Sequence, residues 1–169
     1  MPTKQGDLSL LNDPVAQKLL NGPYPAHLAY TWTDGTPRLI PIGFHWNGSE
    51  LVTGNPANAP RFKALKDGDQ VAVTIDTYDY PFKVLYIRGI ARFAPYDGVV
   101  PEWVLAGQRV MSSEANTAFV QMAEGMTKAG VLKWVRMTIQ PTWVGILDFE
   151  QRFPSGLEKS MEAMAAFAK

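Results

Sequence analysis

From residue 26 onward, apolar and polar side chains alternate in short runs separated by turn dipeptides. This period-2 pattern predicts β-strands. The run His27-Leu28-Ala29-Tyr30-Thr31-Trp32 stops at Asp34-Gly35, and residues 37–46 stop at Asn47-Gly48. Both dipeptides favour the left-handed conformations of tight hairpins. Residues 51–54 supply a third strand, so the first half reads as an antiparallel meander. Asp67-Gly68-Asp69 then releases the chain into Gln70-Val71-Ala72-Val73-Thr74-Ile75-Asp76. Residues 84–93 form a longer run with Gly89 inside it, where a bulge or sharp bend is expected. Two more runs, 131–139 and 143–149, return to β.

Between these runs the period changes. Asn12-Asp13-Pro14 before Val15-Ala16-Gln17-Lys18-Leu19-Leu20, with Asn21-Gly22 after, predicts a short capped helix. A second short helix is expected over 60–66. Phe119, Met122 and Met126 recur at helical spacing between Ser112 and Ala129, with Glu114 in the first turn and Gly130 as the stop. Ser155-Gly156-Leu157-Glu158 fits a capping box, and Leu157, Met161, Met164 and Ala168 mark one apolar stripe of a terminal helix over 155–169. Six to seven strands with flanking helices predict an α+β, mainly β protein built on a barrel, one domain over residues 1–169.

Composition narrows the chemistry. At 46% hydrophobic and 19% charged residues the chain has an ordinary globular make-up. Sixteen basic side chains balance sixteen acidic ones, so no overall field recruits nucleic acid, and a charged ligand must be held by a local cluster. There is no cysteine, which excludes a disulfide framework, a thiolate metal site and a cysteine nucleophile. The two histidines, His27 and His45, sit on different strands without a carboxylate at ligand spacing, so no metal site is expected. A Gly-x-Ser-x-Gly elbow, a nucleoside-triphosphate phosphate loop and a Gly-x-Gly-x-x-Gly fingerprint are all missing. The apolar runs are too short for a signal peptide or a membrane span, and the expectation is a cytoplasmic protein that does not enter membranes.

One cluster stands out. Asn58 as cap, Pro60 at the first helical position, and Arg61 and Lys63 behind it make a basic helix start of the kind that binds phosphate. The same residues also fit the solvated face of a short helix. Gly43, alone in the apolar run Leu39-Ile40-Pro41-Ile42-Gly43-Phe44, either admits a ligand close to the backbone or relieves a barrel corner. His45 reads as a half-exposed edge residue, and Trp134 and Trp143 as core or interface anchors.

The succession Gly35-Thr36-Pro37-Arg38-Leu39-Ile40-Pro41-Ile42-Gly43-Phe44, Gly48-Ser49-Glu50-Leu51-Val52-Thr53-Gly54, Arg61-Phe62-Lys63-Ala64-Leu65-Lys66 and Asp69-Gln70-Val71-Ala72-Val73 resembles the FMN-binding split barrel of the pyridoxamine 5′-phosphate oxidase-like superfamily. The similarity covers about residues 12–95 and, more loosely, 131–149. It implies an antiparallel split β-barrel that forms a homodimer and binds FMN in a cleft between subunits, acting as a small flavin-dependent oxidoreductase on a small-molecule redox substrate. A related branch uses an 8-hydroxy-5-deazaflavin, and a non-catalytic flavin-binding module is a further alternative. Carried over, the resemblance implies that Arg61 and Lys63 grip the phosphate, with Thr53, Asn55 and Asn58 beside it. Arg38 would be a further phosphate or ribityl contact. Main-chain groups of Pro41, Ile42, Gly43 and Phe44 would run along the ring edge, with Lys83 near its pyrimidine side and no dedicated catalytic side chain. Two departures are visible. Gly68-Asp69-Gln70-Val71 replaces the usual Asp-Pro-x-Val loop, and the carboxyl-terminal arginine signature of a true pyridoxamine phosphate oxidase is missing.

Overall fold

Both turn dipeptides close hairpins. Asp34 accepts the Thr36 backbone N–H at 2.9 Å while Gly35 takes φ 82°, and Asn47 accepts from Ser49 and Glu50 while Gly48 takes φ 100°. The computed structural model describes residues 4–153 and 155–167; the amino-terminal Met-Pro-Thr and Ala168 of the terminal stripe lie outside them. The strands are β1 (Ala26–Thr31), β2 (Pro37–Ile42), β3 (His45–Trp46), β4 (Leu51–Pro56), β5 (Gln70–Asp76), β6 (Lys83–Tyr96) and β7 (Trp134–Asp148). The helices are α1 (Pro14–Asn21), α2 (Pro101–Gln108), α3 (Ser113–Lys128) and α4 (Ser155–Phe167). No helix among the described residues is long and apolar enough to cross a membrane.

All strand pairs are antiparallel, in the order β2-β1-β5-β6-β7-β4-β3. This order curls the sheet. β2 and β3 are its opposite edges, yet only Gly43 and Phe44 separate them in the chain. Six inter-strand steps of about 4.8 Å would hold the edges of a flat sheet about 29 Å apart. Three extended residue steps reach only about 11 Å. The sheet therefore closes on itself, with the joint at Gly43-Phe44 forming the split of the barrel. The expected meander is corrected here: residues 37–46 are two strands on opposite edges, because the chain crosses the split at Gly43.

The inner face is a continuous apolar core that includes Leu28, Phe44, Leu51, Ile75, Leu85, Ile87, Met137, Ile139 and Ile146. α1 closes one side of it with Leu19 and Leu20, capped by Asp13, which accepts the Val15 N–H at 2.8 Å. The bulge expected at Gly89 is present, between Arg88 and Gly89. Its extra residue is Thr142 on β7, whose hydroxyl donates to the Arg88 carbonyl at 3.2 Å. A side chain at Gly89 would sit 2.6 Å from the Gln140 carbonyl oxygen. The bulge also absorbs Pro141, which has no N–H to pair, so the two expected closing strands are one strand, β7.

Outside the barrel, α2 and α3 form a second cluster, Val100, Ala123 and Trp134, over β4 and β7. Gly54 permits this contact: a Cβ there would lie 2.7 Å from the Trp103 Cβ. α2 also docks through Glu102, which accepts from Arg136 Nε at 3.0 Å and Nη2 at 2.6 Å. The arginine holds the Glu102 carboxyl below its ordinary range. α3 follows its expected bounds, with Ser112 accepting the Ala115 N–H.

Candidate functional site

The joint between the barrel edges opens on a cleft of about 540 Å³. Pro41, Ile42, Gly43 and Phe44 form one wall, and Tyr24 and Tyr78 contribute rings whose centres lie 6.3 Å apart. A Cβ on Gly43 would meet only the Ala106 Cβ, at 3.8 Å, so the space beside this backbone is not filled by the chain itself. Arg109, at the end of α2, enters the cleft from the far side. Its Nη1 donates to the Phe44 carbonyl at 2.6 Å, Nε donates to the Gly22 carbonyl at 3.0 Å, and Nη2 donates to the same Gly22 oxygen. The guanidinium lies 4.4 Å from the centre of the Phe44 ring. Among the described residues it meets carbonyls and a ring face but no carboxylate, and burial pushes it below the usual guanidinium range.

The second cationic position is Arg61. The expected helix over 60–66 is shorter, a 3-10 turn Pro60–Lys63, and its cap position is Ala59 without a side-chain hydrogen bond. Asn58 is thus not the cap, a correction that follows from the tighter turn starting one residue beyond its reach. Arg61 is half-buried and has no ion-pair or side-chain hydrogen-bond partner among the described residues. Burial lowers its affinity for the proton, with Tyr30 acting in the opposite sense. A positive charge removed from water without a counter-charge is unfavourable until an anion arrives. Thr53 and Asn55, both buried, lead along β4 into this turn and are weakly engaged. The Thr53 hydroxyl reaches the Gly54 carbonyl only at 3.5 Å, and the Asn55 amide donates to the Thr53 carbonyl at 3.3 Å. Lys63 and Asn58 are exposed beside them.

The other expected positions lie apart. Arg38 is held at its own hairpin, 3.5 Å from the Asp34 carboxylate and 5.6 Å from the centre of the Trp32 ring. Lys83 donates to Asp148 at 3.1 Å and to Glu150 at 2.5 Å, and these carboxylates, Glu150 foremost, raise its proton affinity. His27 pairs with Asp76 at 3.8 Å, and His45 is half-buried on β3. The register runs from Ala26 opposite Ile42 to Tyr30 opposite Arg38. The cleft and the Tyr30 end of β1 are therefore about 13 Å apart along the strand.

Arg109, Tyr24 and Tyr78 were not singled out in the sequence. The signal available for Tyr24 was its place between Pro23 and Pro25, a rigid presentation of one ring. Arg109 follows a helix that the apolar spacing does not reveal, because Trp103, Val104, Leu105 and Ala106 are consecutive rather than periodic.

No protein-family model matches the chain, and no curated protein does. Solved structures match. An F420 reductase is 23% identical with TM-score 0.59, covering 76% of this chain and 94% of that one. A conserved hypothetical protein from Mycobacterium tuberculosis is 19% identical with TM-score 0.57, covering 87% and 91%. A protein of the pyridoxinephosphate oxidase family from Clostridium acetobutylicum, related to general stress protein 26, is 9% identical with TM-score 0.52, covering 84% and 90%. Likeness at these identities is likeness of fold: the chain has the split-barrel fold of the pyridoxamine 5′-phosphate oxidase-like proteins.

Proposed function

We propose that this protein binds a flavin-type cofactor, FMN in the first instance, and acts as a small flavin-dependent oxidoreductase. The observation that carries the reading is Arg61, a half-buried guanidinium without a carboxylate partner among the described residues, in the turn that follows the strand bearing the weakly engaged Thr53 and Asn55. A phosphate supplies the missing counter-charge. The unfilled wall at Gly43 fits the edge of a flat ring.

In this reading Arg61 binds the phosphate, Lys63 adds a solvent-side positive charge, and Thr53 and Asn55 orient the ester oxygens. Residues 41–44 present backbone to the ring, and Phe44 is fixed by Arg109, which holds its carbonyl and covers its face. The flavin supplies the hydride or electron transfer, and the protein supplies binding, orientation and a cleft poor in water. The protein works as a homodimer, which buries the Met-bearing faces of α3 and α4. An 8-hydroxy-5-deazaflavin is the second reading, favoured by the likeness to an F420 reductase and by Arg109, a second cation without a carboxylate partner among the described residues.

The absorbance spectrum of the purified protein tests this, followed by titration of the ligand-free chain with FMN and with the deazaflavin. Saturable FMN binding, followed by reduction of the complex with NADH or NADPH, is the expected result. Binding of the deazaflavin alone selects the second reading. Binding without reduction by either nucleotide reduces the protein to a carrier, and binding of neither cofactor overturns the proposal.

A further inference from the structure

β7 has a side that β4 covers only in part. The two strands pair over residues 134–139 of β7, but β4 starts at Leu51, opposite Ile139, so residues 140–148 have no strand on that side among the described residues. The far end is closed by the turn that follows, where Asp148 and Arg152 exchange two backbone hydrogen bonds. Between these limits the amino-terminal segment takes the place of a strand. The Gln5 side-chain amide donates to the Ile146 carbonyl at 2.6 Å, its oxygen accepts the Ile146 N–H at 2.9 Å, and the Gly6 N–H donates to the Val144 carbonyl at 2.7 Å. One side chain thus presents the donor and the acceptor that a residue of a neighbouring strand would present. The seat is shaped for it. The Trp143 indole lies across both Gly6 and Gly145: a Cβ on Gly6 would stand 2.7 Å from Nε1, and one on Gly145 would stand 2.5 Å from the ring and 3.0 Å from the Gln5 Oε1. Gly6 also has φ 98°, which side chains disfavour. Downstream, Asp7 accepts the Ser9 N–H at 2.8 Å and Leu10 is 1% exposed in the core. The residues before Asp7 can therefore lift without drawing out their anchor.

We propose that Gln5 and Gly6 form a clasp that guards the edge of β7, and that opening the clasp exposes residues 142–147 to strand pairing with a second copy of this chain. The edge beneath it reads Thr142-Trp143-Val144-Gly145-Ile146-Leu147, uncharged, free of proline and rich in β-prone side chains. That is the make-up of segments that pair with their own kind when left as an open edge. A second copy fits because two identical edges related by a two-fold axis run antiparallel and complete each other's hydrogen bonds. Three hydrogen bonds hold the clasp, so it opens locally, without unfolding of the barrel. Gln5, Gly6, Trp143 and Gly145 are separate from every residue assigned to the cofactor, and the clasp does not rest on the flavin-dependent reading.

The test is amide hydrogen exchange of the full chain followed by NMR, with the mass measured by light scattering across a concentration series, for the parent, Gln5→Ala, Gly6→Val and Lys4→Ala. Gln5→Ala leaves the Ile146 N–H without its acceptor, and in dilute solution that proton exchanges about ten- to a hundredfold faster than in the parent, while the amides of the β5–β6 ladder keep their rates. On concentration the variant assembles beyond the mass of the parent, and the Ile146 amide regains protection as the edges pair. Gly6→Val behaves in the same way, because its new side chain meets the Trp143 indole. Lys4→Ala, an exposed position outside the clasp, behaves as the parent. Where Gly6→Val fails to fold, Gln5→Ala, which removes only the end of one side chain, decides alone. Unchanged exchange at Ile146 in folded Gln5→Ala overturns the proposal. So does faster exchange without added mass, and so does added mass without renewed protection of Ile146.

Discussion

At the scale of single residues, two positions separate binding from stability. Arg61→Ala removes a guanidinium that no carboxylate among the described residues partners, so the ligand-free protein keeps or slightly gains stability. FMN affinity falls by about 1.5–3 kcal/mol, the range for a charge-assisted hydrogen bond. Calorimetric titration of the folded variant checks this, and unchanged affinity takes Arg61 out of the site. Gly43→Val adds a side chain whose Cβ meets only Ala106, at 3.8 Å, and Gly43 does not have a left-handed φ. Its melting temperature should therefore stay within a few degrees of the parent while flavin affinity collapses; the opposite pattern assigns Gly43 to the barrel corner alone. Arg61 was legible because a cation behind a proline at a turn is a local signal. Arg109 was not, because what marks it is the absence of an acidic neighbour, and that exists only after α2, α1 and the joint have met. Lys83 shows the converse: a strand-end lysine gives no hint that Asp148 and Glu150, from the far end of β7, will claim it.

Among the elements, strands bounded by Asp-Gly and Asn-Gly turns were readable to within a residue or two, and so was α3 with its serine cap and glycine stop. The failures have physical causes. The run 37–46 has unbroken β propensity, and only the closure of the barrel breaks it. Pro141 reads as an interruption, yet a bulge accommodates it. α2 lacks an amphipathic period: it contacts β4, β3 and α3, yet its apolar Leu105 is left 40% exposed. Its attachment to β7 carries a pH signature. The Glu102 carboxyl is held below its ordinary value of 4.5 by Arg136, so the pair stabilises the fold fully above that value. This contribution disappears as pH falls through the lowered folded-state value. Glu102→Gln should therefore unfold more easily than the parent at pH 7, by about 1 kcal/mol, with the gap closing below pH 4. Urea titrations at both pH values measure it, and a gap that persists in acid would show that the charge on Glu102 is not what docks the helix.

For the whole molecule, the apolar faces left outside bear on the proposed dimer. Met122 on α3 is 53% exposed and Met164 on α4 is 73% exposed, with Phe119, Met126, Leu157 and Met161 beside them on the same helices. Patches of this kind on a folded chain mark contact surfaces. Light scattering should give a mass near twice 18.7 kDa, and a monomer at micromolar concentration contradicts the dimer. The joint at Gly43-Phe44 also governs when the barrel forms. β3 and β4 reach the sheet only through β7, pairing residues 51–56 with 134–139, so the neighbours in sequence on either side of the joint wait for the last strand before they can sit on opposite edges. A nascent chain can lay down β1, β2, β5 and β6 as an open sheet early. Its first hairpin past the joint has no strand to pair with until residue 134 and beyond emerge. The cleft is thus among the last features to be built, and a chain released before β7 is complete carries every residue of the cleft without having a cleft at all.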